Sequence, residues 1–527
     1  MKRRDFLKSS VPIASIPLYV GGMPVSVLAE TSNMRKLTNA GCPTDRVLVL
    51  VFLDGGNDGI GTLIPIDQYD ILMRDGSGGD SEPARRPELM VPENSIHKIS
   101  DIDGFHPGME NFKNLFNEEK LGIIRNAGYP NPNKSHFRST DIWNTGSSSE
   151  EYLSSGWLGR HLSKDHPNYP DNYPNESFPD PLALTIGRTT SHTCQGPIIN
   201  MGIAVKNLNS FIDVKEGDGE APDTPYGHEL DYIRKASKLT NDYLDSIEEG
   251  ANKGRPSINA YPEDTANDLA QQLETVAKLI DGGLQTRIYV VRIGGFDTHD
   301  NQVEGNPESG RHAYLLDSLS KSIAAFQSDI IQKGLEERVL TMTYSEFGRR
   351  VFQNKSQGTD HGEAGPMFFV SPYVNPEPIG KMPSLAHVDN IEWEYDFRSA
   401  YGSVLMDWFC VEESTIKSIL YENFQYIPIL VGAVTGNEEI IKQADNIKSF
   451  PNPFKDWITL EIKIDTGPVR LYLIDSNGRL IKEIINKTLT SGIHRIRYNA
   501  GKLKNGLYFI KLQNNKSKFS RSIIKYN

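Results

Sequence analysis

Cysteine is scarce: Cys42, Cys194 and Cys410 are the only three in 527 residues. They are too few and too far apart for a disulfide framework or a Cys-based zinc site. Long apolar runs are also missing, and a mean hydropathy of −0.45 excludes a multi-pass membrane protein. Positive charge is rare over most of the chain. Residues 446–527 hold 16 Lys+Arg against 5 Asp+Glu, so the formal −12 of the whole chain leaves −23 on residues 1–445. An acidic body repels polyanions, and no nucleic-acid role is expected. With 45 Gly, 31 Pro, 38% hydrophobic and 24% charged residues, the composition is that of a globular protein. At about 100–200 residues per domain, the length allows two to four domains.

Residues 1–29 read as an address. Lys2-Arg3-Arg4-Asp5-Phe6-Leu7-Lys8 precedes a modest apolar run, and Val27 with Ala29 supplies a small-residue cleavage site. Pro12, Pro17 and Pro24 break that run, so no transmembrane domain is expected. The paired arginines before Phe-Leu-Lys resemble a twin-arginine signal, the route of proteins exported already folded.

Residues 30–440 show α/β organisation. Val47 to Leu53 is a continuous apolar run of strand length, the pattern of a strand buried on both faces of a parallel sheet. Further strands are expected at 121–127, 182–186, 288–293 and 339–344. Helices are expected around Leu269-Leu273-Val276-Ile280, ending at Gly282-Gly283, and around Leu315 to Ile330. Polar residues follow the ends of these strands, where open α/β sheets place their ligand sites.

Four polar clusters stand out: Asp54 with Asn57 and Asp58, Ser135-His136, Asp297 with His299, and Glu346 followed by Thr359-Asp360-His361-Gly362. Carboxylates plus imidazole suit a divalent ion. His106 and His136 read equally well as capping or core histidines, and Trp143 and Trp157 as core.

From residue 446 the composition turns to short strands and turns. Asn477-Gly478 and Asn505-Gly506 punctuate alternating apolar segments, which predicts a small all-β sandwich over 446–527. The opening Pro451-Asn452-Pro453, the Asp475-Ser476-Asn477-Gly478 turn and the Asn505-Gly506-Leu507-Tyr508 strand resemble the C-terminal sorting domain of the type nine secretion system of Bacteroidetes-like bacteria. That resemblance implies the secretion machinery as a partner. It also implies periplasmic transit, then secretion or residence at the cell surface.

The body resembles a twin-arginine-exported family catalogued as a domain of unknown function (1501), related to the alkaline phosphatase–sulfatase superfamily. The residues that carry this are Phe52 to Gly59, Ser135-His136-Phe137, Asp141-Ile142-Trp143, Gly156-Trp157-Leu158-Gly159, Gly294 to His299, Ser345 to Arg349 and Thr359 to Gly362. The resemblance implies an alkaline-phosphatase-like, mostly parallel sheet flanked by helices. It implies metal ligands Asp54, Asp297, His299, Glu346 and His361, holding zinc, manganese or calcium. Ser135 falls in the nucleophile's region, with Asn57 or Thr62 as weaker alternatives. Arg138 and Arg349 would clamp ester oxygens, with Asn57 as a further substrate contact. Phe347 stands where the superfamily has a histidine, which puts a complete two-metal site in doubt. The expected function is metal-dependent hydrolysis of phosphate or sulfate esters on a small molecule or polymer. The alternative is a non-catalytic surface or polymer-binding protein with the same fold.

Overall fold

In the computed structural model, residues 44–431 are described apart from 79–82, 207–220, 259, 260 and 265. Residues 447–525 are described apart from 451–453, 465, 476–479, 502 and 514–517, and residues 19, 20, 23 and 24 complete the set. Apart from those four positions, the export signal lies outside the described residues, as do the Pro451-Asn452-Pro453 opening and the Asn477-Gly478 turn. No described helix is long and apolar enough to cross a membrane.

Residues 43–431 form one compact unit around an eight-stranded sheet. Its strands are β1 (Val47–Asp54), β2 (Leu121–Gly128), β3 (Ala183–Ile186), β4 (Gly202–Val205), β5 (Ile288–Gly294), β6 (Val339–Tyr344), β7 (Gly365–Val370) and β8 (Tyr395–Asp396). Their spatial order is β8-β2-β7-β6-β1-β5-β3-β4. Every pairing is parallel except those β7 makes with β6 and β2. β1 is central and Val47 to Leu53 are all buried, so its run needs no polar alternation.

Helices flank the sheet: α1 (His136–Thr145), α2 (Trp157–Asp165), α3 (Pro225–Lys253), α4 (Leu269–Asp281), α5 (Arg311–Gln332) and α6 (Phe397–Phe409). α4 stops where the double glycine predicts, with Gly282 as its cap and Gly283 at φ +93°. Trp143 and Trp157 are buried, and each stacks on an aromatic side chain of α6. The cysteine arithmetic missed one thing: Cys410 is disulfide-bonded, whereas Cys194 is a buried free thiol. A single bond needs no framework of evenly spaced cysteines.

Residues 447–525 belong to the second unit and form two antiparallel sheets of three and four strands. Alternate residues from both, among them Ile458, Leu460, Leu471, Leu473, Ile510 and Leu512, close into one buried cluster. This is the period-two pattern of strands with one face inside.

Candidate metal centre

The parallel strands β1, β5 and β6 end side by side, and the chain turns sharply after each. After β1, the Gly55 N–H donates to both carboxylate oxygens of Glu346 (2.9 and 3.2 Å). Gly55 has φ +122°, and a Cβ there would sit 2.3 Å from the Asp297 backbone nitrogen. Only glycine permits this approach, which brings the turns after β1 and β5 into contact.

Three side chains meet at this edge. His136 opens α1, Asp297 follows β5 and His361 lies just ahead of the antiparallel β7. One ligand atom from each lies within 4.8 Å of the other two, and among the described residues no other such group occurs. His136 Nε2 is 3.4 Å from Asp297 Oδ2, and His361 Nε2 is 3.7 Å from Asp297 Oδ1.

The histidines are held from behind. His136 Nδ1–H donates to Glu346 Oε1 at 2.8 Å. His361 Nδ1–H donates to the Lys134 carbonyl at 2.6 Å; a carbonyl only accepts, which fixes the tautomer. Both Nε2 atoms are buried without a hydrogen-bond partner, and both face Asp297. An imidazole fixed at Nδ1 with its other nitrogen free is the arrangement of a metal-ligating histidine. Asp297 is supported by Arg349 Nη2 at 2.8 Å. Burial opposes its ionisation, but the hydrogen bond and charge of Arg349 prevail and bring its pKa down to about 2. The hydrogen bond to Glu346 raises His136, and burial lowers His361 to about 4. His299 Nδ1 touches Asp297 Oδ1 at 2.5 Å, with its ring partly open to solvent.

The expected residues distribute unevenly. Asp297, His299 and His361 come together. Glu346 is fully buried and works through His136, because its oxygens accept from Gly55, Ser345 and His136. Asp54 is not in the group: its carboxylate pairs with Arg292 and lines a neighbouring cleft of ≈ 420 Å³ that also reaches His136, Arg188 and Phe137. Ser135 is exposed at the start of α1. Arg349 is buried, spending its guanidinium on Asp297 and the carbonyls of Gly55, Gly56, Phe296 and Thr359. Arg138 is bound to Asp141 and the carbonyls of Ser148, Ser149 and Glu151, and lies on the Tyr152 ring. It holds a loop.

Sequence reasoning left His136 open between cap and core. Its place in the Ser135-His136 cluster was the available signal. What selects it is Glu346, 210 residues away in sequence.

Behind the site lies a buried polar network. Asp58 accepts two bonds from Arg86 (2.8 and 2.7 Å) and one from Gln302 (2.7 Å). Gln302 Oε1 in turn accepts from Thr298 and Thr359, one residue beyond Asp297 and two before His361. Asn57 is buried here, its Oδ1 accepting from Thr62 at 2.9 Å and facing His312 Nε2 at 3.2 Å. His106 caps a short turn through Gly108 N–H. Burial lowers His106 to about 4 and His312 to about 3, so both stay neutral in the native state while the unfolded chain protonates near 6.5. Stability should therefore fall as pH drops from about 6.5 toward 4, whereas the contribution of His136, whose pKa is raised, is in place below about 6.5 and is lost as pH rises above it. Melting temperatures measured from pH 7 to 4.5 should decline, and His312→Asn should flatten that slope. An unchanged slope in the variant would remove His312 from the account.

Two family models match the chain. Residues 256–377, which include Asp297, His299, Glu346 and His361, match the family described as protein of unknown function (DUF1501). Residues 448–526 match the secretion system C-terminal sorting domain, which marks the chain for export and for secretion or the cell surface. No curated protein matches the chain. A protein of the alkaline phosphatase superfamily from Vibrio parahaemolyticus is similar at 9% identity, over 91% of this chain and 84% of its own, with a TM-score of 0.30. A sulfatase from Pseudoalteromonas sp. is similar at 12% identity over 90% and 86%, with a TM-score of 0.31. The type-IX secretion surface component PorZ of Porphyromonas gingivalis is similar at 16% identity over 17% of this chain and 13% of its own, with a TM-score of 0.14.

Proposed function

We propose that the chain is an exported, metal-dependent hydrolase of phosphate or sulfate esters whose ion is held by His136, Asp297 and His361. The observation that carries this reading is the pair of buried, unpartnered Nε2 atoms facing one carboxylate. Leaving two such nitrogens dry costs about 1–3 kcal/mol each, and a cation resolves both. Two imidazoles with one carboxylate suit zinc or manganese better than calcium. A bound divalent ion supplies Lewis acidity toward an ester oxygen and eases ionisation of an attacking hydroxyl or water.

The chain's own residues do the rest. Glu346 and the Lys134 carbonyl keep the two imidazoles aimed. Arg349 keeps Asp297 ionised. His299, on the open side with its Nδ1 2.5 Å from Asp297 Oδ1, is placed to hand a proton to a leaving group. Ser135, beside His136, is the candidate nucleophile. The adjoining cleft, with Arg188 on its lining beside the Arg292–Asp54 pair, offers positive charge to an anionic ester in an otherwise acidic body.

Elemental analysis of the folded full chain should find about one zinc or manganese per chain, together with turnover on a phosphatase and sulfatase panel. Glu346→Gln should lower metal affinity about 10–100-fold without unfolding the body. Stoichiometric metal without turnover would favour the non-catalytic binding protein. Absence of metal after reconstitution would end both metal readings.

A further inference from the structure

At the edge of the sheet opposite the metal cluster, the N-terminal ends of β1, β3, β5 and β6 surround a second cavity of ≈ 510 Å³. That volume is ordinary for a small-molecule site. Its lining combines apolar side chains, among them Leu162, Phe178, Leu182, Leu284 and Phe409, with one unusual cation. Arg287 lies immediately before β5, largely inside the protein, with its guanidinium carbon 4.7 Å above the Phe409 ring. Its Nε makes one long bond to the Arg46 carbonyl at 3.4 Å. Among the described residues no carboxylate lies within ion-pair distance of it.

The other charges at this cavity are already committed or distant. Asp45 pairs with Arg338 at 2.9 Å. Asp180 accepts from the Gln285 N–H at 2.8 Å. Among the described residues the ion-pair partner of Asp165 is His161, 3.9 Å away, and burial keeps that imidazole neutral by lowering it to about 4. A largely desolvated guanidinium on the lining of a cavity, with no carboxylate paired to it, favours an acceptor there. Burial indeed pushes the Arg287 pKa down despite the fields of Asp165 and Asp45.

We propose that this cavity is a ligand site in which Arg287 receives the carboxylate of a small molecule with an aromatic or apolar body. A carboxylate matches the planar fork of a guanidinium bidentately. One unneutralised cation near Asp165 and Asp45 suits a monoanion, whereas a phosphate dianion would be repelled. The apolar lining selects the body of the ligand. No residue of this site belongs to the metal cluster, so the inference stands apart from the hydrolase reading.

The test uses the full-length protein with phenylacetate as probe, 2-phenylethanol as the neutral analogue and inorganic phosphate as the competing anion, followed by calorimetry and ligand-observed NMR. Phenylacetate should bind saturably at one site, at least about tenfold more tightly than 2-phenylethanol or phosphate, as expected for one charge-assisted contact. Arg287→Met should weaken it by at least about tenfold. Ser177→Trp, at an exposed position of the lining, should block it independently should Arg287→Met fold poorly. Metal content should be unchanged in both variants. Failure of the wild type to bind phenylacetate overturns the proposal, as does equal binding of the alcohol, preference for phosphate, or undiminished binding in Ser177→Trp.

Discussion

His136→Ala should yield a folded protein that no longer retains a stoichiometric cation and shows no ester turnover. Of the three proposed ligands, His136 is the one fixed by a buried carboxylate, Glu346, which is itself tied to the Gly55 backbone after β1. Removing the ring deletes one of the three ligands and leaves a pair, Asp297 and His361, that cannot define a site for a zinc-like ion. The fold should tolerate it, because His136 is part-exposed at the first turn of α1, with Phe347 as a neighbouring ring. Loss of a metal-promoted step of this kind corresponds to at least about 10³-fold in rate, several kcal/mol of charge stabilisation. Elemental analysis, a melting curve and an ester assay on the same preparation check it. Retention of full metal by a folded His136→Ala protein would show that the cluster is not the site.

Asp58→Ala should be the most damaging single substitution for stability in the body. Asp58 and Arg86 are both fully buried and pair at 2.7 Å, and the carboxylate also anchors Gln302. Burial on its own would push the Asp58 carboxyl up, yet Arg86 and the neighbouring donors hold it below its ordinary value. Deleting it strands a guanidinium in the interior, at a cost of about 3–5 kcal/mol. Gln302 then loses the anchor of its Nε2 while still accepting from Thr298 and Thr359 through Oε1, so the turns carrying those residues are held less firmly and metal affinity should fall as well. The double variant Asp58→Ala/Arg86→Met should recover part of the loss, because the stranded charge, not the missing pair, is the main cost. Denaturant unfolding followed by body fluorescence decides it. A loss under about 1 kcal/mol would refute the buried-charge argument.

The strands around the site were readable because burial on both faces leaves an unmistakable apolar run, as at Val47 to Leu53 and Val339 to Tyr344. β7 was not read as a strand. It is inserted antiparallel between β2 and β6, and Gly365-Pro366 at its start carries turn residues. α3 was missed because its pattern is mostly polar, with few buried positions. The C-terminal sheets were read from period-two alternation and turn residues, both local signals.

At the site, residue type and placement after strands were enough to nominate Asp297, His299, Glu346 and His361. Division of labour among them was not legible. Sequence could not tell that Arg292 draws Asp54 into the cleft, that Arg349 is fully buried, or that Glu346 reaches His136. Local chemistry and periodicity alone determined the doubly buried strands, the C-terminal sheets, the acidic body with its basic tail, and the chain neighbourhoods that carry chemistry. Only the tertiary structure decided which atoms are left free. A histidine becomes a ligand when one nitrogen is bound from behind and the other is not, and those partners lie hundreds of residues apart, where no local signal reaches.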